Sequence, residues 1–144
     1  MKFFSCIAFF VMGCNPTLFA QLCTGSLGDP LINITFGFGA NPGSAVDARQ
    51  TDYNYSSKSC PGQNEYSITN LSFGCFDNSW FQLTGDHTPF DERGYYMLVN
   101  AESTGEKNIF VYTAENLCAN TTYELATWIA NVLRPGSCNK NGTD

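Results

Sequence analysis

The sequence predicts an all-β domain, a β-sandwich or barrel assembled from short strands. Two observations carry that expectation. Apolar and polar side chains alternate over runs of about five residues, the period of a strand with one buried face. Clusters of Gly, Asn, Asp and Pro separate the runs, and these residues favour tight turns. No internal repeat, low-complexity tract or interdomain linker interrupts the pattern.

The 144-residue chain opens on a segment expected to be removed. Lys2 supplies a positive start, Phe3 to Met12 form an uncharged apolar run, and Leu18-Phe19-Ala20 places a small residue before a cut. Residues 1–20 therefore read as a secretory signal, with Gln21 as the new N-terminus. The apolar run is too short to span a bilayer, which takes about 20 residues, and no later stretch qualifies. A competing cut exists at Val11-Met12-Gly13-Cys14, which resembles a bacterial lipoprotein box and would leave Cys14 lipidated. Either cut sends residues 21–144 out of the cytoplasm as one domain of ordinary size.

Ile32-Asn33-Ile34-Thr35-Phe36 is the first expected strand, ended by Gly37-Phe38-Gly39 and Asn41-Pro42-Gly43. Residues 51–55, 66–68, 80–83, 95–101 and 109–113 repeat the theme with turn residues between them. Residues 121–133 admit two readings. Thr121-Thr122-Tyr123-Glu124 suits a helix cap, and Leu125, Ile129, Val132 and Leu133 follow at helical spacing. As a strand, Tyr123, Leu125, Thr127 and Ile129 share one face while Ala126, Trp128 and Ala130 share the other. The all-β surroundings favour the strand. After Cys138 the chain is a polar turn with no strand behind it. A sandwich needs a returning strand there, so the domain is expected to be the first part of a longer protein, with an open edge.

Composition narrows the function classes. Thirteen acidic against 7 basic residues give a net charge of -6. Loss of Lys2 with the signal makes the remainder slightly more acidic. That balance argues against nucleic acid, whose phosphates require a basic face. Scattered acids suit calcium, a hard cation that takes oxygen ligands, and equally suit plain solubility. The cysteines beyond the signal are Cys23, Cys60, Cys75, Cys118 and Cys138, which should mostly pair in an oxidising compartment. Their spacing lacks the close pairs of a zinc site. Cys118–Cys138 and Cys60–Cys75 each close a local loop and are the expected disulfides, leaving Cys23 free or paired outside the chain.

No catalytic residue is assigned. His87 is the only histidine, and the Gly-x-Ser-x-Gly elbow that would present a nucleophile is absent. Asp91 and Glu92 are adjacent and would point apart on a strand, although two distant acids converging in space stay possible from sequence. The most distinctive stretch is Trp80-x5-Asp86-His87-Thr88-x5-Gly94-Tyr95-Tyr96-Met97. An Asp followed by a hydroxyl residue on a turn either ligates a cation or hydrogen-bonds the turn backbone. Exposed Trp and Tyr rings are the other candidates, because an aromatic face packs against the C–H face of a pyranose. Trp80 and Tyr53 lead that list, followed by Tyr55, Tyr95, Tyr96 and Trp128, against the general rule that aromatic rings fill cores. Asn-x-Ser/Thr sequons begin at Asn33, Asn54, Asn70, Asn120 and Asn141, and would suggest glycosylation in a eukaryotic secreted protein.

The Asp86-His87-Thr88 and Gly94-Tyr95-Tyr96-Met97 pair resembles the signature of MAM domains, extracellular adhesive jelly rolls. That resemblance implies a bound-cation site with Asp86 as a ligand, here a structural calcium. The chain departs from that family in its cysteine pattern and in having Gly37 where the family's opening strand has an acid. A second resemblance spans nearly all of residues 21–144. It runs through Leu22-Cys23-Thr24-Gly25, Ile34-Thr35-Phe36-Gly37-Phe38-Gly39, Ser59-Cys60-Pro61 and Gly74-Cys75-Phe76. It continues in Tyr96-Met97-Leu98-Val99-Asn100-Ala101, Leu117-Cys118, Asn120-Thr121-Thr122-Tyr123-Glu124 and Trp128-Ile129-Ala130-Asn131-Val132. These stretches resemble the N-terminal module of large Bacteroidetes surface proteins of the gliding-motility-associated and PKD-repeat kind. Such proteins leave the cell by type IX secretion on a C-terminal sorting domain, which these residues do not include. The Leu-Cys to Trp portion is also similar to strands of carbohydrate-binding jelly rolls. Together the resemblances narrow the expected fold to a jelly-roll β-sandwich, and make turn composition the expected reason for the sequons. They imply a non-catalytic adhesion or carbohydrate-binding module at a bacterial surface. Its partners would be a polysaccharide or surface glycan and other domains of the same chain. An accessory or catalytic role in glycan hydrolysis and a purely structural cap are the alternatives.

Overall fold

Backbone pairing is concentrated in one small mixed sheet. The computed structural model describes residues 30–137 apart from Asn41, Thr84 and Ser103. Its strands are β1 (Asn54–Tyr55), β2 (Glu65–Thr69) and β3 (Tyr96–Asn100), in the order β1-β2-β3. β1 runs parallel to β2 with Asn54 opposite Glu65, and β2 runs antiparallel to β3 from Glu65 opposite Asn100 to Thr69 opposite Tyr96. No helix lies among the described residues, so the all-β expectation holds at that level.

The sheet is covered on both faces, and this separates it from a sandwich leaf with one wet side. Side chains directly opposite in an antiparallel pair share a face. Tyr66 with Val99 and Ile68 with Met97 therefore form one face, packed with Tyr53, Tyr95, Phe36 and Val46. Ser67 with Leu98 and Thr69 with Tyr96 form the other, where Trp80, Cys75, Cys60 and Val132 gather. Ser67 and Thr69 are fully buried on this second face. Their hydroxyls are satisfied locally: Ser67 donates to the Ser59 carbonyl, and Thr69 donates to the Leu71 carbonyl while accepting from the Leu71 N–H. Ser72 is a similar hub. It donates to the Phe81 carbonyl and accepts from the Leu83 N–H and the Tyr96 hydroxyl. No buried side-chain nitrogen or oxygen is left without a partner among the described residues.

Residues 37–46 strap across one end of the sheet. The Tyr95 N–H donates to the Gly37 carbonyl on the outer side of β3, and the Gly43 N–H donates to the Ile68 carbonyl on the opposite side of β2. Tyr95 anchors the strap through a hydroxyl donated to the Ala40 carbonyl, and the Val46 N–H donates to the Tyr66 hydroxyl. Gly43 must be glycine, since a Cβ there would come within 2.7 Å of Ile68 and 2.8 Å of Tyr95. Phe38 meets Gly94 in an isolated bridge, so the first expected strand survives as one bridge beyond residue 36 rather than as a strand over 32–36.

Other expected elements are reduced in the same way. The 80–83 strand becomes a single bridge from Trp80 to Leu133, flanked by bonds from the Phe81 N–H to the Val132 carbonyl and from the Arg134 N–H to the Ser79 carbonyl. The 109–113 strand is represented by the bond from the Val111 N–H to the Gln50 carbonyl. Residues 121–132 form neither strand nor helix, and Leu125, Trp128 and Ile129 stand exposed there. Only at its end, where the Phe81 N–H donates to the Val132 carbonyl, does this segment meet the bridge at Trp80.

One expected disulfide is present. Cys60 and Cys75 are joined with their Cα atoms 5.4 Å apart, tying the β1–β2 connection to the turn after β2. Phe76, Asp77 and Asn78 then take successive left-handed conformations, which swing the chain back so that Trp80 meets Cys75 in the second core. Cys118 is also disulfide-bonded. The residue expected to be its partner, Cys138, lies outside the described residues, as do Cys23 and the signal segment. No helix of the described residues is long and apolar enough to cross a membrane.

Two core tyrosines make stability sensitive to alkali. Burial pushes both the Tyr66 and the Tyr96 phenol above the ordinary tyrosine value, opposed by the hydrogen bonds to Val46 and Ser72. The unfolded chain ionises first, near pH 10, so it binds fewer protons than the folded chain above that value. Stability is therefore full below about pH 10 and falls as pH rises beyond it. Urea melts between pH 8 and 11 should follow that course, and Tyr66→Phe should make the fall shallower while the Tyr96 contribution remains; a flat profile in the parent protein would contradict this.

Candidate functional site

The two rings that lead the sequence candidates, Trp80 and Tyr53, do not face solvent, whereas Trp128 from the same group does. Trp80 is 6% exposed at the centre of the second core, where the Phe76 ring lies 4.6 Å away. Tyr53 is 9% exposed in the first core, with the Lys107 ammonium 5.7 Å from its ring. Each buries its face against the sheet because that removes a large apolar area from water. Both are core residues rather than the exposed rings expected of them.

Trp128 is the exposed indole. It is 76% exposed and stacks on His87, with ring centroids 3.7 Å apart and planes 13° from parallel. The stack joins two segments distant in sequence: the 86–88 turn and the extended 121–132 stretch. One face of the indole rests on the imidazole, which leaves the other face toward solvent. His87 thus backs one face of the indole.

Asp86 organises the turn beneath the stack. Its carboxylate accepts from the Thr88 N–H at 3.2 Å and from the Thr88 hydroxyl, the arrangement of an aspartate-capped turn. Gly94 sits directly under that carboxylate, and any Cβ at position 94 would overlap it. This accounts for the Asp-His-Thr to Gly-Tyr-Tyr spacing in local terms. Gly94 begins the run into β3, Tyr95 enters the first core and Tyr96 the second. Both Asp86 oxygens serve the turn, and no group of three or more His, Cys, Asp or Glu side chains suited to a metal ion occurs among the described residues.

A concavity lies under the strap. This open depression of about 610 Å³ is lined by residues 35–38 and 42–46, with Ile68 and Tyr95 at its floor. It has no charged lining residue, and the Tyr95 hydroxyl is already committed to Ala40. The sequon asparagines differ in setting. Asn70 donates its side-chain amide to the Gly39 and Arg93 carbonyls, whereas Asn33, Asn54 and Asn120 are exposed.

No protein-family model, curated protein or solved structure matches this chain. The site therefore rests on its own geometry: an exposed indole, an imidazole behind it and a carboxylate-capped turn alongside. One sequence signal marked Trp128. On the strand reading its flanking same-face residues are Ala126 and Ala130, which are too small to cover an indole.

Proposed function

We propose that this protein is a non-catalytic, extracytoplasmic glycan-binding module that serves adhesion at a bacterial surface, with Trp128 as its stacking platform. A single observation supports this reading most: a large aromatic face held open to solvent and braced from behind by His87. Stacking requires a ring whose orientation is set before the sugar arrives, because pre-organisation lowers the entropy lost on binding. The turn at Asp86 and Thr88 brings acceptor and hydroxyl groups beside the platform, suited to sugar hydroxyls. The disulfide fits an oxidising compartment, and the apolar start of the chain fits export.

Trp128→Ala should weaken binding at least tenfold, about 1.4 kcal/mol, while leaving the circular dichroism spectrum and Tm unchanged. A broad glycan array probed in the presence of calcium is the direct measurement. Absence of every glycan signal from the parent protein would remove this function.

Calcium belongs to the proposal as a structural ion beside Asp86 that fastens the 86–88 turn. It takes six to eight oxygen ligands, so backbone carbonyls and water would supply most of them. A ligand of the folded state raises stability by mass action, so chelation should lower Tm. An unchanged Tm in EDTA would leave the turn to Thr88 and Gly94 alone.

A further inference from the structure

We infer that the Trp128–His87 platform selects uncharged glycans and rejects uronate- and sulfate-bearing ones, an inference that rests on the glycan-binding reading above. The platform is built from two segments, and each brings negative charge. Asp86 adjoins His87 in the chain, and Glu124 is the charged residue of the 119–133 stretch. The protein as a whole carries a net charge of -6. Three of its seven cations are engaged elsewhere. Arg49 donates to both carboxylate oxygens of Asp47, at 3.0 and 2.8 Å. Lys107 is held by Glu102 at 2.9 Å and by the Asn64 side chain. Arg134 donates to the Trp80 carbonyl and lies over the Phe81 ring at 5.3 Å. Among the described contacts, no ammonium or guanidinium is placed against the stack to receive a carboxylate or sulfate.

The hydrogen-bonding character points the same way. Each Asp86 oxygen accepts from Thr88 and keeps a further lone pair, so the calcium-free rim of the platform offers acceptors. A bound calcium would offset this charge, so the polymers are compared in EDTA. A pyranose hydroxyl is a donor and matches them. A glycan carboxylate or sulfate is an acceptor and meets like charge. Indole stacking itself needs only an apolar C–H face. The platform's attraction is therefore short-ranged and apolar, and its long-range field repels anions over roughly a Debye length, about 8 Å at physiological salt.

Native affinity electrophoresis tests this with matched polymers: hydroxyethyl cellulose against carboxymethyl cellulose, and dextran against dextran sulfate, with further neutral mannan, galactan and β-glucan lanes. Trp128→Ala run beside the parent protein separates specific retardation from the drag of a charged gel. Retardation by at least one neutral polymer is expected, little changed between 20 and about 300 mM salt. Binding to its charged counterpart should be at least tenfold weaker, most so at low salt. Trp128-dependent retardation by an anionic polymer, equal to or stronger than by its neutral mate, would overturn the charge selection and leave glycan binding standing. Retardation by no polymer of either charge would overturn the glycan reading itself, and this inference with it.

Discussion

Trp80→Ala should destabilise the protein by about 3–5 kcal/mol, the range for deleting a buried large aromatic side chain. The indole is 6% exposed and belongs to the cluster that covers the second face of the sheet. Cys75 and Leu98 are its buried partners, with Cys60, Tyr96 and Val132 at the margin. Its backbone also carries the bridge to Leu133, which returns the end of the described chain to the core. Neighbours fixed by a disulfide and a strand collapse poorly into the space left behind, which places the cost toward the upper end. Whole domains are stable by about 5–15 kcal/mol, so a large share of the total is at stake. Urea denaturation of the variant is the check. A loss below about 1 kcal/mol would mean that the second cluster is not a cooperative part of the fold.

Removing the Cys60–Cys75 bridge should cost about 3 kcal/mol, the value for a closed loop of roughly 15 residues. The two cysteines are separated by 15 positions, and the loop encloses all of β2. Without the bridge, the unfolded chain regains the freedom of that loop, and the short parallel β1–β2 pair loses its tether. A double substitution to alanine suits the site better than serine, because Cys75 is 1% exposed and a hydroxyl there would need a new partner. Thermal melts of the double variant and of the parent, both without reductant, should differ accordingly, because reductant would also open the bridge at Cys118. A bridge whose loss leaves Tm unchanged would contradict the constraint described here.

How far these features could be read in the sequence differs from one residue to the next. β2 and β3 follow from local chemistry: Tyr66, Ile68, Met97 and Val99 alternate with residues of the other face, as half-buried strands do. The alternation misleads about Ser67 and Thr69. Polar side chains on the second face read as solvent-facing, yet both are fully buried, because their hydroxyls bond nearby backbone groups. Trp80 was equally misplaced as an exposed ring. Its burial depends on the left-handed turn at residues 76–78 and on a cysteine bridge, which act together only in three dimensions. Asp86 followed by Thr88 does point to a turn, whereas the part of Gly94, room for the carboxylate, shows only in three dimensions. Residues 121–132 carry both helical and strand periodicities, and the structure takes neither. Periodicity states which face is apolar, not whether a partner strand is present to receive it.

The two tryptophans form an optical pair. Trp80 lies in a dry environment beside Phe76 and a disulfide, while Trp128 lies in water against an imidazole. Their emission therefore separates by wavelength and by access to a soluble quencher such as acrylamide or iodide. Trp80 records whether the chain is folded. Trp128 records what approaches the surface, so one spectrum reads folding and binding on separate channels.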